Sequence, residues 1–251
     1  MSEIIDLERA AALHWRGTEE DRLGGWLLRA AEGFTGRANS ALPLGDPPGS
    51  LDEALAAVTR WYRTRGLPPM LQVAMPLEET SALDEALAAR GWGLRPGPAF
   101  VMTADLAGGT APPGDGVRVD AAPDDEWLSA QRYRGRADLP PVRMKVLVSA
   151  PEQAFVSIRD GGTAVAVARL SLGGGWAGIT SVEVSPARRR RGLGRAITDA
   201  CRAEAFARGA RRMFLQVETA NEAARALYEK SGFTYAHRYH YRLAPAGPAP
   251  G

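Results

Sequence analysis

Apolar residues near the start of the chain recur at helical spacing. Ile4, Leu7, Ala11 and Trp15 fall on one face of a helix over residues 4–15, and Gly24 and Gly25 end that region. The runs Trp26-Leu27-Leu28-Arg29-Ala30 and Asn39-Ser40-Ala41-Leu42 predict two strands joined through a turn at residues 33–36. Helical periodicity returns over residues 51–65, with Ser50 as N-cap and Gly66 as stop. A strand at 70–74, a helix at 81–90 ended by Gly91, and a strand at 99–106 follow. Residues 107–116, rich in Gly, Pro and Ala, predict a linker.

Beyond the linker the pattern predicts a strand at 117–119 and a helix at 123–133, whose first turn carries Asp124, Asp125 and Glu126. A loop at 134–141 leads to a short helix ending near residue 149. Residues 155–159 and 164–170, separated by Asp160-Gly161-Gly162, predict a hairpin. A strand at 176–184, a helix at 192–208, a strand at 213–217, a helix at 221–231 and a strand at 234–243 complete the pattern. The tail at 244–251, rich in Pro, Gly and Ala, is expected to be disordered. The fold class is α/β (α+β). The expected organisation is a first unit over residues 1–106, a linker, and a second unit over 117–243.

Composition narrows the function classes. The 251 residues are 45% hydrophobic and 24% charged, with a formal net charge of +2. A dedicated nucleic-acid binder would carry a larger basic excess, so no nucleic-acid partner is expected. No apolar run is long enough to span a bilayer, and residues 1–8 lack the basic flank and apolar core of a signal peptide. A cytoplasmic protein with no membrane partner is the expectation. The single cysteine, Cys201, excludes an intrachain disulfide and falls inside a predicted helix, where a buried structural thiol is expected.

The chemistry concentrates in Val182-Glu183-Val184-Ser185-Pro186-Ala187-Arg188-Arg189-Arg190-Arg191-Gly192-Leu193-Gly194-Arg195. A strand ends at a proline, a basic run follows, and two glycines open a helix. Such a helix start presents unpaired N–H groups and the positive end of a helix dipole, which suits a phosphate. Glycines there let the backbone approach an anion closely.

The spacing Arg189-x-x-Gly192-x-Gly194 resembles the acetyl-CoA loop of the GNAT (Gcn5-related) N-acetyltransferases. Asn221-Glu222-Ala223-Ala224-Arg225-Ala226-Leu227-Tyr228-Glu229-Lys230-Ser231-Gly232-Phe233 is similar to that family's second signature. The resemblance implies the GNAT fold, acetyl-CoA as cosubstrate, and a cofactor site formed by Val182, Val184, Arg189, Arg190, Arg191, Gly192, Leu193, Gly194, Arg195 and Asn221. It implies Tyr228 as the acid that protonates the departing thiolate. Asn221 could equally be an N-cap, or both. Where relatives that acetylate protein N-termini use a strand glutamate as base, this chain has Gln216. Glu183 is the first substitute because strand alternation can aim it into the cleft, with Glu218 or water as alternatives. His237 and His240 lack the accompanying ligands of a metal site, so no metal is expected. Tyr239 and Tyr241 could line an acceptor pocket or simply pack in a strand.

The first hundred residues also parallel the second half. Residues 65–73 parallel 208–217, and 87–92 parallel 228–233, which implies a degenerate GNAT-like copy. Pro43-Leu44-Gly45-Asp46-Pro47-Pro48-Gly49 occupies the place of the phosphate loop, and Leu87 that of the tyrosine, so this half is not expected to bind acetyl-CoA. Its segment Gly33-Phe34-Thr35-Gly36-Arg37-Ala38-Asn39-Ser40 resembles the N-terminal extension of certain bacterial GNAT proteins. The expected function is N-acetyl transfer from acetyl-CoA to a primary amine of a small molecule or peptide, with an acyl-CoA sensor as the alternative. Whether the protein is a monomer or a homodimer is left open.

Overall fold

The computed structural model describes residues 2–79, 81–106, 116–132 and 138–246. Most of the expected linker, the start of the 134–141 loop and the end of the expected tail lie outside them.

The first half runs α1 (Ser2–His14), β1 (Glu19–Leu23), β2 (Trp26–Ala30), β3 (Leu42–Pro43), α2 (Leu51–Arg63), β4 (Met70–Met75), α3 (Ala82–Ala89) and β5 (Gly93–Asp105). The second runs β6 (Val117–Asp120), α4 (Asp125–Ala130), α5 (Arg143–Leu147), β7 (Glu152–Asp160), β8 (Thr163–Gly173), β9 (Trp176–Val184), α6 (Leu193–Ala207), β10 (Arg212–Glu218), α7 (Glu222–Lys230) and β11 (Thr234–Leu243). The second half has the order of elements that the sequence predicts.

Three local differences from the sequence pattern have physical causes. The charged segment 19–23 forms a strand because Gly24-Gly25, with Gly24 at φ 56°, turns it back onto β2 in a hairpin with Leu23 opposite Trp26. Residues 39–42 form a strand only at the last position, because the Asn39 side chain takes the local backbone bonds. Its Oδ1 accepts from the N–H of Ala31 (2.8 Å) and Gly33 (2.9 Å), and its Nδ2 donates to the carbonyls of Phe34 and Thr35. Strand β5 begins at Gly93, six residues before the expected start at Ala99, because β11 extends alongside it to a Leu243–Gly93 pair.

Strands β1, β2 and β3 form a small sheet, and the other eight form one sheet in the order β4-β11-β5-β10-β9-β8-β7-β6. Strands of the two halves therefore alternate at one end of it: β11 lies between β4 and β5, and β5 lies between β11 and β10. On one face α6 and α7 bury Ile197, Cys201 and Tyr228 against Met213, Leu215 and Val217. On the other, α1 sets Leu7 and Ala11 against Val101, Phe214, Tyr239 and Tyr241.

Polar contacts from β11 also bind the halves together. His237 Nε2 lies 2.7 Å from Glu8 Oε1 in a pair that is almost wholly buried, and Glu8 also accepts from Gln72 Nε2 (2.8 Å). His240 and Arg242 both meet Asp84 of α3, the guanidinium with two bonds of 2.7 and 2.8 Å. The two histidines weighed as metal ligands are thus each engaged by a carboxylate of the first half.

Candidate active site

Strands β9 and β10 are paired in parallel only at Ala177–Met213, Gly178–Phe214 and Ile179–Leu215. A register shift between β8 and β9 falls where Ser181 takes a φ of 53°, and such a bulge re-aims the strand that carries it. Past this point the facing edges of β9 and β10 have no strand partner, and their backbone groups open onto a cavity of about 380 Å³. Val182, Glu183, Gln216 and Glu218 line it from the strands, and Asn221 and Tyr228 from α7.

The glycine loop lies beside the end of β9. Pro186–Arg188 makes one tight turn, Arg190 and Gly192 adopt φ of 62° and 79°, and Gly192 is the N-cap of α6. Among the described residues the N–H groups of residues 190–195 donate to no protein acceptor, the first helix bond outside the helix itself being Ala196 N–H to the Gly192 carbonyl. Two left-handed residues followed by a helix start form a cradle of donors that fits a pyrophosphate. Leu193 packs against the core under α6, and Arg195 pairs with Asp199. Arg189 folds back to the Val184 carbonyl, and Arg188 pairs with Asp160. Arg190 and Arg191 have no ion-pair partner among the described residues. A Cβ on Gly194 would stand 3.0 Å from Leu227 Cδ2 of α7. Gly194→Val is therefore expected to push α6 from α7 and raise the acetyl-CoA Kd by roughly tenfold or more, measurable by calorimetry, as overpacking of this kind costs about 1–3 kcal/mol.

Asn221 caps α7, its Oδ1 accepting from the Ala224 N–H (3.2 Å), while its residue faces the cavity. Tyr228 is buried, its ring edge-on to Phe233, and its hydroxyl has no protein partner among the described residues. Burial, with the nearby Cys201 and Glu183 adding to it, pushes the phenol well above its ordinary pKa. Tyr228 thus stays protonated, as an acid must.

Val182 and Val184 pack on the α6 side, so alternation places Glu183 on the opposite face of β9. Gln216 and Glu218 share that face through Phe214, which packs under α1. Glu183 is half-buried, and desolvation raises its carboxyl above the ordinary value, with Arg189 and Arg132 pulling the other way. Acting as a base, Glu183 would work in its deprotonated form: kcat/KM would then rise with pH through a pKa above 4.5, and Glu183→Gln would remove that limb of the profile. Cys201 is fully buried and its thiol is pushed far up by burial, so the chain's single cysteine is no nucleophile.

The first half completes the cavity with Thr35, Gly36, Arg37, Arg95, Gly97 and Ala99. Arg37 Nη1 donates to Gln216 Oε1, so Gln216 is held by an arginine of the first half. Tyr239 and Tyr241 pack under α1 and also line this cavity. Arg95 and Arg132 carried no signal in the sequence. Arg37 is marked in the sequence only by its place in segment 33–40.

The family described as "Probable histone acetyltransferase Rv0428c C-terminal" matches residues 1–242. The chain is 30% identical over 256 residues to the uncharacterized N-acetyltransferase YobR of Bacillus subtilis, covering 97% of this chain and 99% of that one. It is 31% identical over 252 residues to the probable histone acetyltransferase Rv0428c of Mycobacterium tuberculosis, covering 97% and 74%. Among solved structures, a GCN5-related N-acetyltransferase from Kribbella flavida superposes with a TM-score of 0.68 at 16% identity, covering 98% of this chain and 97% of that one.

Proposed function

We propose that this chain, which belongs to the GCN5-related N-acetyltransferase family and is an acetyltransferase, transfers an acetyl group to a primary amine of a small molecule by direct attack in a ternary complex. The GNAT fold implies acetyl-CoA as cosubstrate, which supplies the acetyl group as a thioester. The residues fit it: the free N–H groups of 190–195 would hold the pyrophosphate, and the unpaired edges of β9 and β10 the pantetheine arm.

One observation carries the reading. Glu183 and Tyr228 reach one cavity from opposite faces of the sheet, a base on one side and an acid on the other. Glu183 takes a proton from the ammonium, directly or through water, and so frees the nitrogen lone pair. The amine then attacks the thioester carbonyl, and the C–S bond breaks as Tyr228 gives its proton to the leaving sulfur. The second proton that the new amide nitrogen sheds returns to the Tyr228 phenolate, directly or through water. The buried Cys201 favours direct attack over an acetylated cysteine. A small acceptor is favoured because residues 35–37 and 95–99 wall the cleft. The first half reads as a degenerate copy of the second, since β4-α3-β5 and β10-α7-β11 share their order and interleave in the sheet.

The test is CoA release against a panel of small amines and peptides, beside acetyl-CoA titration. Turnover on small amines supports the proposal. Tight acetyl-CoA binding with no turnover on any amine would leave a sensor instead.

A further inference from the structure

We propose that the acceptor carries, besides its amine, an anionic oxygen group (a carboxylate or a phosphate) that is held by Arg37 and Arg95; this rests on the transfer reading above.

Three arginines, Arg37, Arg95 and Arg132, line the cavity against two carboxylates, Glu183 and Glu218. Arg132 and Glu183 lie close enough to act on one another electrostatically, which leaves Arg37 and Arg95 as the cations of the first-half wall. Among the described residues neither meets a carboxylate. Arg37 spends one donor on the neutral amide of Gln216 and stacks 5.0 Å over the Trp15 ring. Arg95 stacks 5.2 Å from the Tyr241 ring, and its Nη1 lies 3.5 Å from Met70 Sδ. Stacking fixes a guanidinium in place and leaves its edge donors free, the arrangement that suits planar anion recognition.

The wall is built rather than loosely arranged. Asn39 ties the 31–35 backbone, and Trp15 Nε1 donates to Thr35 Oγ1 (2.8 Å). Gly36 sits so close to the opposite side that a Cβ there would stand 2.5 Å from Arg95 Nη1 and 2.7 Å from Tyr241 Cζ. Arg95 thus packs directly on the segment that carries Arg37. Behind the wall lies a third cation. Arg169 is fully buried, 5.4 Å from the same Trp15 ring and 3.5 Å from Thr180 Oγ1, and among the described residues its Nη2 has no hydrogen-bond partner. Burial and the proximity of Arg37 hold its pKa down to about 9. Arg37 and Arg169 repel one another, and an anion entering beside Arg37 relieves that repulsion.

The face of the sheet decides which ligand this anion belongs to. Arg37 bonds to Gln216, on the side of β10 that packs under α1, whereas the glycine loop opens α6 on the other side. Cofactor phosphates belong at the loop, so Arg37 and Arg95 face the acceptor. Glu183 is on the acceptor side too, so one face of the sheet presents both the base and the two arginines to the acceptor.

The test uses the full chain and matched acceptors: ω-amino carboxylates from β-alanine upward, each against its amide, and phosphoethanolamine against ethanolamine. The expected kcat/KM favours the anionic member of the best pair by roughly tenfold to a hundredfold, the range of a charge-assisted hydrogen bond. Which pair responds tells a carboxylate from a phosphate. That ratio should fall towards one in Arg37→Gln and in Arg95→Gln, fall only part of the way in Arg37→Lys, which keeps the charge and loses the planar fork, and be unchanged in Tyr228→Phe although all its rates drop. Acetyl-CoA titration reports whether each variant is folded. Equal rates within every pair, or a ratio that survives both glutamine variants, overturn this inference and leave acetyl transfer standing. No acetylation of any amine, with acetyl-CoA bound, overturns both.

Discussion

Replacing Tyr228 with Phe is expected to lower kcat by roughly 10²- to 10⁴-fold, the range of general acid catalysis, with little change in the acetyl-CoA Kd. The hydroxyl has no protein partner among the described residues, so its removal breaks no structural bond. The ring keeps its edge-on contact with Phe233, 5.9 Å away, and its place in the core beside Cys201 and Leu215. What is lost is a proton at the cleft. Burial holds that proton above the ordinary phenol pKa of 10.0, so the wild type should show no loss of acid function across the neutral range. Rates of CoA release and calorimetric titration of acetyl-CoA check the two halves of the statement. A variant that keeps its turnover would remove Tyr228 from the chemistry.

The second large effect concerns stability. Asp84 accepts from both arms of Arg242 and from His240, and all three side chains are nearly buried. Asp84→Ala would leave Arg242 and His240 without their carboxylate where β11 joins the first half. The expected loss is about 2–4 kcal/mol, as breaking one side of such a pair costs about 3–5 kcal/mol when fully buried. Hydrogen bonds from Arg242 and His240, offset in part by burial, hold the Asp84 carboxyl below its ordinary value of 3.8. A depressed carboxyl stabilises the fold fully above the unfolded-state pKa, and that contribution disappears as pH falls through the folded-state pKa. Urea unfolding of wild type and variant should therefore differ at neutral pH and converge in acid. A constant gap across that window would mean that Asp84 acts by packing alone.

The site divides by how far apart its residues lie in the chain. The glycine loop and the Asn221–Tyr228 helix were legible because each is one continuous segment whose spacing is fixed by a strand end or a helical turn. Glu183 was legible too, since alternation along β9 decides its face once Val182 and Val184 are set in the core. Arg37 and Arg95 were not. Arg95 reaches the cleft because β5 pairs between β11 and β10, and Arg37 because the braced 31–39 segment sets it against Gln216, long-range placements that no local pattern carries. The same strand pairing explains the early start of β5, where Gly93, Pro96 and Gly97 argue against a strand and the neighbouring β11 overrides them. Segment 39–42 went the other way. Its apolar residues suggest a strand, and one asparagine side chain converts most of it into a braced loop.

Direct transfer within a ternary complex is decided by initial rates of CoA release with acetyl-CoA and an accepted amine varied together. Direct transfer gives double-reciprocal lines that intersect, and no acetylated protein when acetyl-CoA is supplied alone. Parallel lines, with an acetyl group covalently held on the chain before the amine is added, would contradict it.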